Sequence, residues 1–441
     1  MGVVCCPTGV FVGPQNEATG RTHPPFSEFL ARVNGVISTA TARLLVLSDL
    51  HAHSNEPDPG GATSLSFHGS AEGVARLFDG LLLTLKGIGV TKVDAVVCPG
   101  DLTDRCDTTA LPLIWNRLCE LADRLDAVLV ATAGNHDHAR SGGDPKRFLI
   151  DLVPPFPVRD ETQKANYFAY SFARCEVVGH TVICLNSAAL TGLTGVDGEE
   201  ESRHGSVTKQ MVSGIQKSLA ADPAKGMRIL VVHHHPVQLP AIDLNETSRI
   251  VNAELLLEAL AGEGPWVIIH GHKHRPWIQY APGGGGSAVL FSAGSFAAPL
   301  DGVLAQSTKN QFYLVDLLAE AEAQTLGLGP AGTFSAWSHS PLEKLSWIPS
   351  GRSDGLPAKG GFGWRADPTR LARLVAEHVE AAGVDLSWKQ LVSWEPRLPY
   401  LSPDDWTKFD NQLARLSGTV QPRRDADGLL TSVALLRTVQ L

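Results

Sequence analysis

Ala95-Val96-Val97-Cys98-Pro99-Gly100-Asp101-Leu102-Thr103-Asp104-Arg105 passes from four apolar residues through Pro-Gly into a loop of carboxylates and a hydroxyl. Such a short apolar run, bounded by turn residues, has the length and composition of a strand buried on both faces. The glycine lets the chain turn sharply just before the first carboxylate. The same grammar recurs four more times. Residues 44–47 lead into Asp49-Leu50-His51 and residues 127–131 into Gly134-Asn135-His136-Asp137. Residues 229–232 lead into His233-His234-His235-Pro236, and residues 266–269 into Gly271-His272-Lys273-His274. Residues 181–185 read as a further buried strand.

Helical stripes separate these runs. Val74, Leu77, Phe78, Leu81 and Leu85 form one, Ile114, Leu118, Leu121 and Leu125 a second, and Met211, Ile215 and Leu219 a third. Alternating strands and helices predict an α/β layered fold with a largely parallel central sheet. In an open α/β sheet the carboxyl ends of the strands line one edge, where ligands bind. The five polar motifs are therefore expected to meet in one crevice. After residue 276 the pattern turns to strand-like pieces at 288–291 and 312–317.

Size and composition bound the rest. The 441 residues suffice for a large domain and a smaller one, and the 43% hydrophobic and 19% charged content is that of a globular chain with a sizeable core. A net charge of -9 argues against a surface that grips nucleic acid non-specifically, which needs clustered Lys and Arg. No apolar run reaches the roughly 18 residues of a membrane span, and the N-terminus lacks the pattern of a secretory signal. Gly2 and Cys5-Cys6 give only a faint acylation hint. Seven cysteines in apolar contexts, an odd number, read as core residues of a reducing compartment, so a cytoplasmic location is expected. Residues 1–41 read as an N-terminal extension. Residues 321–441 hold six of the nine tryptophans, together with two capped helices, one from Asp367-Pro368 to Gly383 and one from Ser402-Pro403 to Gly418. They are expected to form a small, mainly helical appendage whose tryptophans serve packing.

The residue types of the five motifs suit one task. Carboxylate oxygen, amide oxygen and neutral imidazole are good ligands for Mn, Fe and Zn, and no cysteine competes with them. A shared carboxylate can hold two ions about 3.5–4 Å apart, the separation that clamps both the attacking and leaving oxygens of a phosphoryl group. The ordered set Asp-x-His, Gly-Asp, Gly-Asn-His-Asp, His and Gly-His-x-His resembles the signature of calcineurin-like metallophosphoesterases over about residues 43–320. Its Gly134–Asp137 block is similar to the bacterial cyclic-nucleotide phosphodiesterase-like branch, as is a strand read at residues 165–172. By contrast, residues 100–105 are similar to the protein-phosphatase form, and Asn186-Ser187 departs from the Asp-Ser often found there.

The resemblance implies a four-layer αββα sandwich over residues 42–320. It implies one ion held by Asp49, His51, Asp101 and His274, and another by Asp101, Asn135, His234 and His272, with Asp101 bridging. Among the three consecutive histidines, His234 is expected because the family's ligand stands two residues before the proline. Strand alternation would turn His233 to the opposite face, and His235 would support the site from behind. His136 is expected to donate a proton to the leaving oxygen, Asp104 to orient His136, and Arg105 to clamp a phosphate oxygen or to form an ion pair. The implied nucleophile is a hydroxide shared by the two ions. Asp137 is read equally as support for the metal site or as a helix cap. His53, His138, His180 and His204 are read as ordinary core or surface residues, and residues 197–201 as a solvated acidic loop.

Three readings follow. The favoured one is an enzyme hydrolysing a nucleotide or another small-molecule phosphoester, with no membrane role. The second is a nuclease whose tryptophan-rich tail binds single strands. The third is an inactive scaffold whose tail meets a protein partner, which would predict lost ligands, yet every ligand position of the signature is filled.

Overall fold

Residues 95–98 form a strand, β2 (Ala95–Cys98), paired in parallel with β1 (Ala40–Val46) and β3 (Val128–Ala131). The computed structural model describes residues 40–56, 64–69, 72–138, 147–191, 204–239, 248–284, 286–300, 302–340, 347–416, 418–425 and 428–436. Residues 1–39, with the acylation motif, and the acidic run at 197–201 lie outside the described residues.

Beyond β1 the same sheet continues antiparallel through β10 (Gln311–Leu318), β11 (Gly332–His339) and β12 (Trp347–Pro349), with β13 (Lys359–Phe362) also paired to β11. A second sheet has the order β4 (Phe172–Val177), β5 (His180–Leu185), β6 (Arg228–Val232), β7 (Trp266–His270), β9 (Val289–Ser292), β8 (Trp277–Tyr280). Its inner pairs β5–β6, β6–β7 and β7–β9 are parallel.

Alternation along the strands shows how the layers stack. Ile229 and Val231 of β6, with Val267 and Ile269 of β7, face the large core that holds Leu44, Val96 and Phe312. Leu230, Val232 and Ile268 face the opposite way, against Met211 and Ile215 of the helix Lys209–Ala221 and Leu256 of the helix Ala253–Ala261. A strand with hydrophobic residues on both faces must be covered on both faces. The helices Glu72–Gly87 and Ala110–Arg124 supply Leu77, Leu81, Ile114 and Leu118 to the large core, which completes a four-layer αββα sandwich.

Two stretches differ from the sequence reading. Residues 165–172 are not a strand: the helix Glu161–Tyr170 occupies most of them, and β4 begins only at Phe172. The Asp160 side chain accepts from Gln163 N at the start of this helix, and Ser171 closes it in a left-handed conformation. These end signals outweigh the β-prone aromatic residues between them. Residues 332–362, grouped with the tail by their tryptophans, carry strands of the first sheet. Trp337 stacks on Phe312, and Trp347 on Phe296, in the main core.

After residue 363 a small module of its own appears. It holds the helices Pro368–Ala382, Trp388–Trp394 and Pro403–Arg415 and a three-stranded sheet of β14 (Leu386–Ser387), β15 (Val420–Arg424) and β16 (Leu430–Leu435). Asp367 and Ser402 cap two of these helices as expected, and Gly383 ends the first in a left-handed conformation. Its core is separate, built on Val375, Val379, Leu391, Phe409 and Val433. Among the described residues no helix is long and apolar enough to cross a membrane.

Candidate metal centre

The loops that leave β1, β2, β3, β6 and β7 meet at one edge. Backbone bonds fasten them together: Asp49 N donates to Gly100 O at 3.1 Å, Leu50 N to Asp101 O at 2.8 Å, and Gly271 N to His233 O at 3.1 Å. Glycine is required at the crossings. A Cβ on Gly134 would collide with the Asp101 side chain, and one on Gly271 with Ser48 and Asp49. Asp49, His51, Asp101, His272 and His274 all lie in the left-handed region, with φ of 51°, 46°, 51°, 78° and 52°. Non-glycine residues adopt this conformation rarely and at a cost, and such residues concentrate at functional sites.

These turns bring the side chains together. Ligand atoms of Asp49, His51 and His274 lie within 4.8 Å of one another, as do those of Asp49, Asp101 and His233, and those of His233, His234 and His272. His51 Nε2 is 3.1 Å from His274 Nε2 and 3.5 Å from Asp101 Oδ2. His274 Nε2 is 3.5 Å from Asp49 Oδ1. Asn135 Oδ1 is approached by His233 Nε2 at 3.2 Å and by His272 Nδ1 at 3.1 Å. Beside this cluster, His136 Nδ1 lies 3.0 Å from Asp104 Oδ1, which also lies 3.7 Å from His51 Nδ1. Arg105 is largely exposed and pairs with Asp104 at 3.7 Å.

Electrostatics follow from burial. Asp49 and Asp101 are fully buried, and among the described residues their ion-pair partners are imidazoles rather than Lys or Arg. Burial works to raise the Asp101 carboxyl, but the charges of His233, His136 and His51 outweigh it and hold Asp101 well below the usual carboxylate range. Hydrogen bonds from His136 and His51 do the same for Asp104. Burial, then neighbouring imidazoles, drive His234 and His272 well down, towards the neutral form that binds metals. Burial and the Asp101 charge push Asp137 up to about 6. The set fits divalent cations: among the described residues the buried carboxylates pair with no Lys or Arg, the imidazoles converge, and His234 Nε2 is buried with no hydrogen-bond partner.

All ten residues singled out from the sequence stand at this edge, but the histidine run departs from expectation. His233 does not turn away. Its Nε2 is 3.3 Å from Asp101 Oδ2, while its Nδ1 bonds Pro99 O at 2.9 Å. Strand β6 ends at Val232, so the alternation that would exclude His233 no longer applies there. The end of the apolar run at residue 232 was the signal for this. Ser187 and Ser248 escaped the sequence reading as site residues; Ser187 Oγ is 2.8 Å from His234 Nδ1, and Ser248 Oγ is 3.1 Å from His272 Nε2. Asp137 accepts from Thr103 N and Gly134 N, both at 2.9 Å, tying two motif loops together.

A model described as calcineurin-like phosphoesterase matches residues 42–276, more than half of the chain, and the chain belongs to that family. A second model, wHTH-Calcineurin_assc, matches residues 360–415. A cAMP/cGMP dual specificity phosphodiesterase of Mycobacterium tuberculosis is 28% identical over 181 residues, 41% of this chain and 48% of that protein. The match thus spans about half the length of that relative. Among solved structures, a putative 5'-nucleotidase from Staphylococcus aureus has a TM-score of 0.35 at 13% identity, covering 72% of this chain and 54% of the other. A predicted phosphoesterase from Streptococcus pneumoniae has a TM-score of 0.27 at 12% identity, covering 73% and 98%.

Proposed function

We propose that this chain hydrolyses a small-molecule phosphodiester, a nucleotide in particular, with the aid of two divalent ions drawn from Mn, Fe and Zn. The observation that carries the reading is the convergence of five strand-end motifs on two adjoining ligand clusters. The likeness to a cAMP/cGMP phosphodiesterase supports the nucleotide class. Asp49, His51, Asp101 and His274 would hold one ion, and Asp101, Asn135, His272 and a histidine of the 233–234 pair the other. When bound, the ions would activate a water and offset the charge of the phosphoryl oxygens.

The chain's own groups would do the rest. Asp104 holds the His136 ring through Nδ1, which leaves Nε2 to carry the proton that a leaving oxygen needs. Arg105 stands at the mouth, held by Asp104, where it can meet a substrate phosphate. We draw the division of the chain near residue 363, with the phosphoesterase sandwich before it and the small module after it. The location we propose is cytoplasmic, on the apolar contexts of the cysteines in the sequence.

The test is hydrolysis by the chelated and Mn-reloaded chain of cyclic mononucleotides, dinucleotides, phosphomonoesters and single-stranded DNA. Preference for a nucleotide phosphodiester is expected. Activity confined to DNA, with steep salt dependence, would instead establish the nuclease reading, which the match of residues 360–415 to the wHTH model favours.

A further inference from the structure

We infer that the ion beside Asn135 is held by His233 and His234 together, one imidazole more than the signature supplies; the inference rests on the two-ion reading above. Past Val232 the chain bends, and consecutive side chains are no longer forced to opposite sides. Both rings turn inward. The His233 and His234 centroids are 4.9 Å apart, edge to face, and those of His234 and His272 are 4.5 Å apart. One nitrogen from each of the three rings falls within 4.8 Å of the others.

His233 Nε2 and His272 Nδ1 already converge on Asn135 Oδ1. His234 completes the arrangement. Its Nδ1 is 2.8 Å from Ser187 Oγ, and its Nε2 is buried without a hydrogen-bond partner among the described residues. A ring nitrogen stripped of water and left unpaired is costly, and a cation removes that cost. With Nδ1–H donating to Ser187, Nε2 presents its lone pair, the form in which imidazole binds metals. Gly205 lies close against the ring and leaves it room: a Cβ there would come 2.5 Å from His234 Cγ.

The two ion positions then differ in kind. The first has two carboxylates and two imidazoles. The second has three imidazoles, an amide oxygen and the shared carboxylate, a set that favours ions late in the Irving–Williams order, such as Co, Ni and Zn, over Mn. Stepwise loading follows, with the second position filling first.

Titration of the metal-free full-length chain with Co(II), followed by calorimetry and visible absorption, tests this. Two ions per chain are expected, one bound at least about tenfold more tightly. H233A and H234A are each expected to lose that tight step and to change its absorption bands while still binding two ions. H234Q, which keeps a polar group of similar volume, is expected to do the same if H234A folds poorly. Wild-type affinity and bands in a folded H233A, H234A or H234Q would overturn the five-residue shell and leave the two-ion reading intact. Fewer than two ions in the unaltered chain would overturn both.

Discussion

The strand-end edge and the C-terminal cleft both gather side chains from distant parts of the chain, and they are built on opposite terms. The cleft encloses about 1200 Å3 between the first sheet and the C-terminal module, and its walls contain none of the ten residues of the edge. Trp277, Trp388, Trp406 and Tyr400 line it, and charges in its walls pair within the protein, Arg43 with Asp316 at 2.6 Å and Arg352 with Asp410 at 4.0 Å. At the edge, Asp49 and Asp101 are buried with imidazoles for ion-pair partners, backbone conformations are costly, and among the described residues His234 Nε2 has no hydrogen-bond partner. Chemistry is marked by what a region leaves unsatisfied, not by how much space it offers.

If that contrast is right, substitutions at the edge cost activity, whereas those around the cleft cost stability. The largest effect belongs to Asp101→Asn. It removes the charge shared by both clusters, so activity is expected to fall by on the order of 10^3-fold or more, the scale of losing a pre-organised charge-stabilising group. Bound metal, measured by atomic absorption, should drop for both ions. His136→Ala is expected to keep both metals and to slow turnover by about 10^2-fold or more on substrates with poor leaving groups, and far less on those with good ones. Metal loss in this variant would assign His136 to the ligand shell instead. Gly134→Ala sets a methyl against the Asp101 side chain. Displacing a ligand in this way is expected to weaken metal affinity by about 10–100-fold, read by chelator competition.

Much of the edge was legible because a strand that stops at a glycine or a proline and then presents a ligand is a local pattern. Asp101, Asn135 and His272 each carry it, and parallel pairing then fixes where they meet. The histidine run was harder, since the choice between His233 and His234 depends on the residue at which β6 ends. Helix Glu161–Tyr170 was masked by Tyr167, Phe168 and Tyr170, which suit a pleated surface but here pack on Phe156 or lie exposed at the helix end. Strand β11 mixes Gly332, Thr333, Ser335 and Ser338 with Phe334 and Trp337. Its place depends on pairing with β10 on one side and β12 and β13 on the other, which no local pattern reveals.

The smallest effect on activity is expected where the C-terminal module grips the second sheet. Arg365 lies over the Tyr280 ring at 4.5 Å and donates to Gly284 O at 2.6 Å and Ser287 Oγ at 2.9 Å. Gly363 N donates to Tyr280 Oη at 2.9 Å from the same side. These contacts hold the hairpin of β8 and β9, and β8 starts three residues after His274. Arg365 is exposed, so its hydrogen bonds and cation–π contact together contribute about 1 kcal/mol. Arg365→Ala is therefore expected to lower stability in urea unfolding by that amount and to leave turnover within about twofold, since a surface substitution away from the reacting groups rarely does more. A tenfold loss of turnover with both ions still bound would show that the module acts on the edge through β8, and the separation of the two regions would fail.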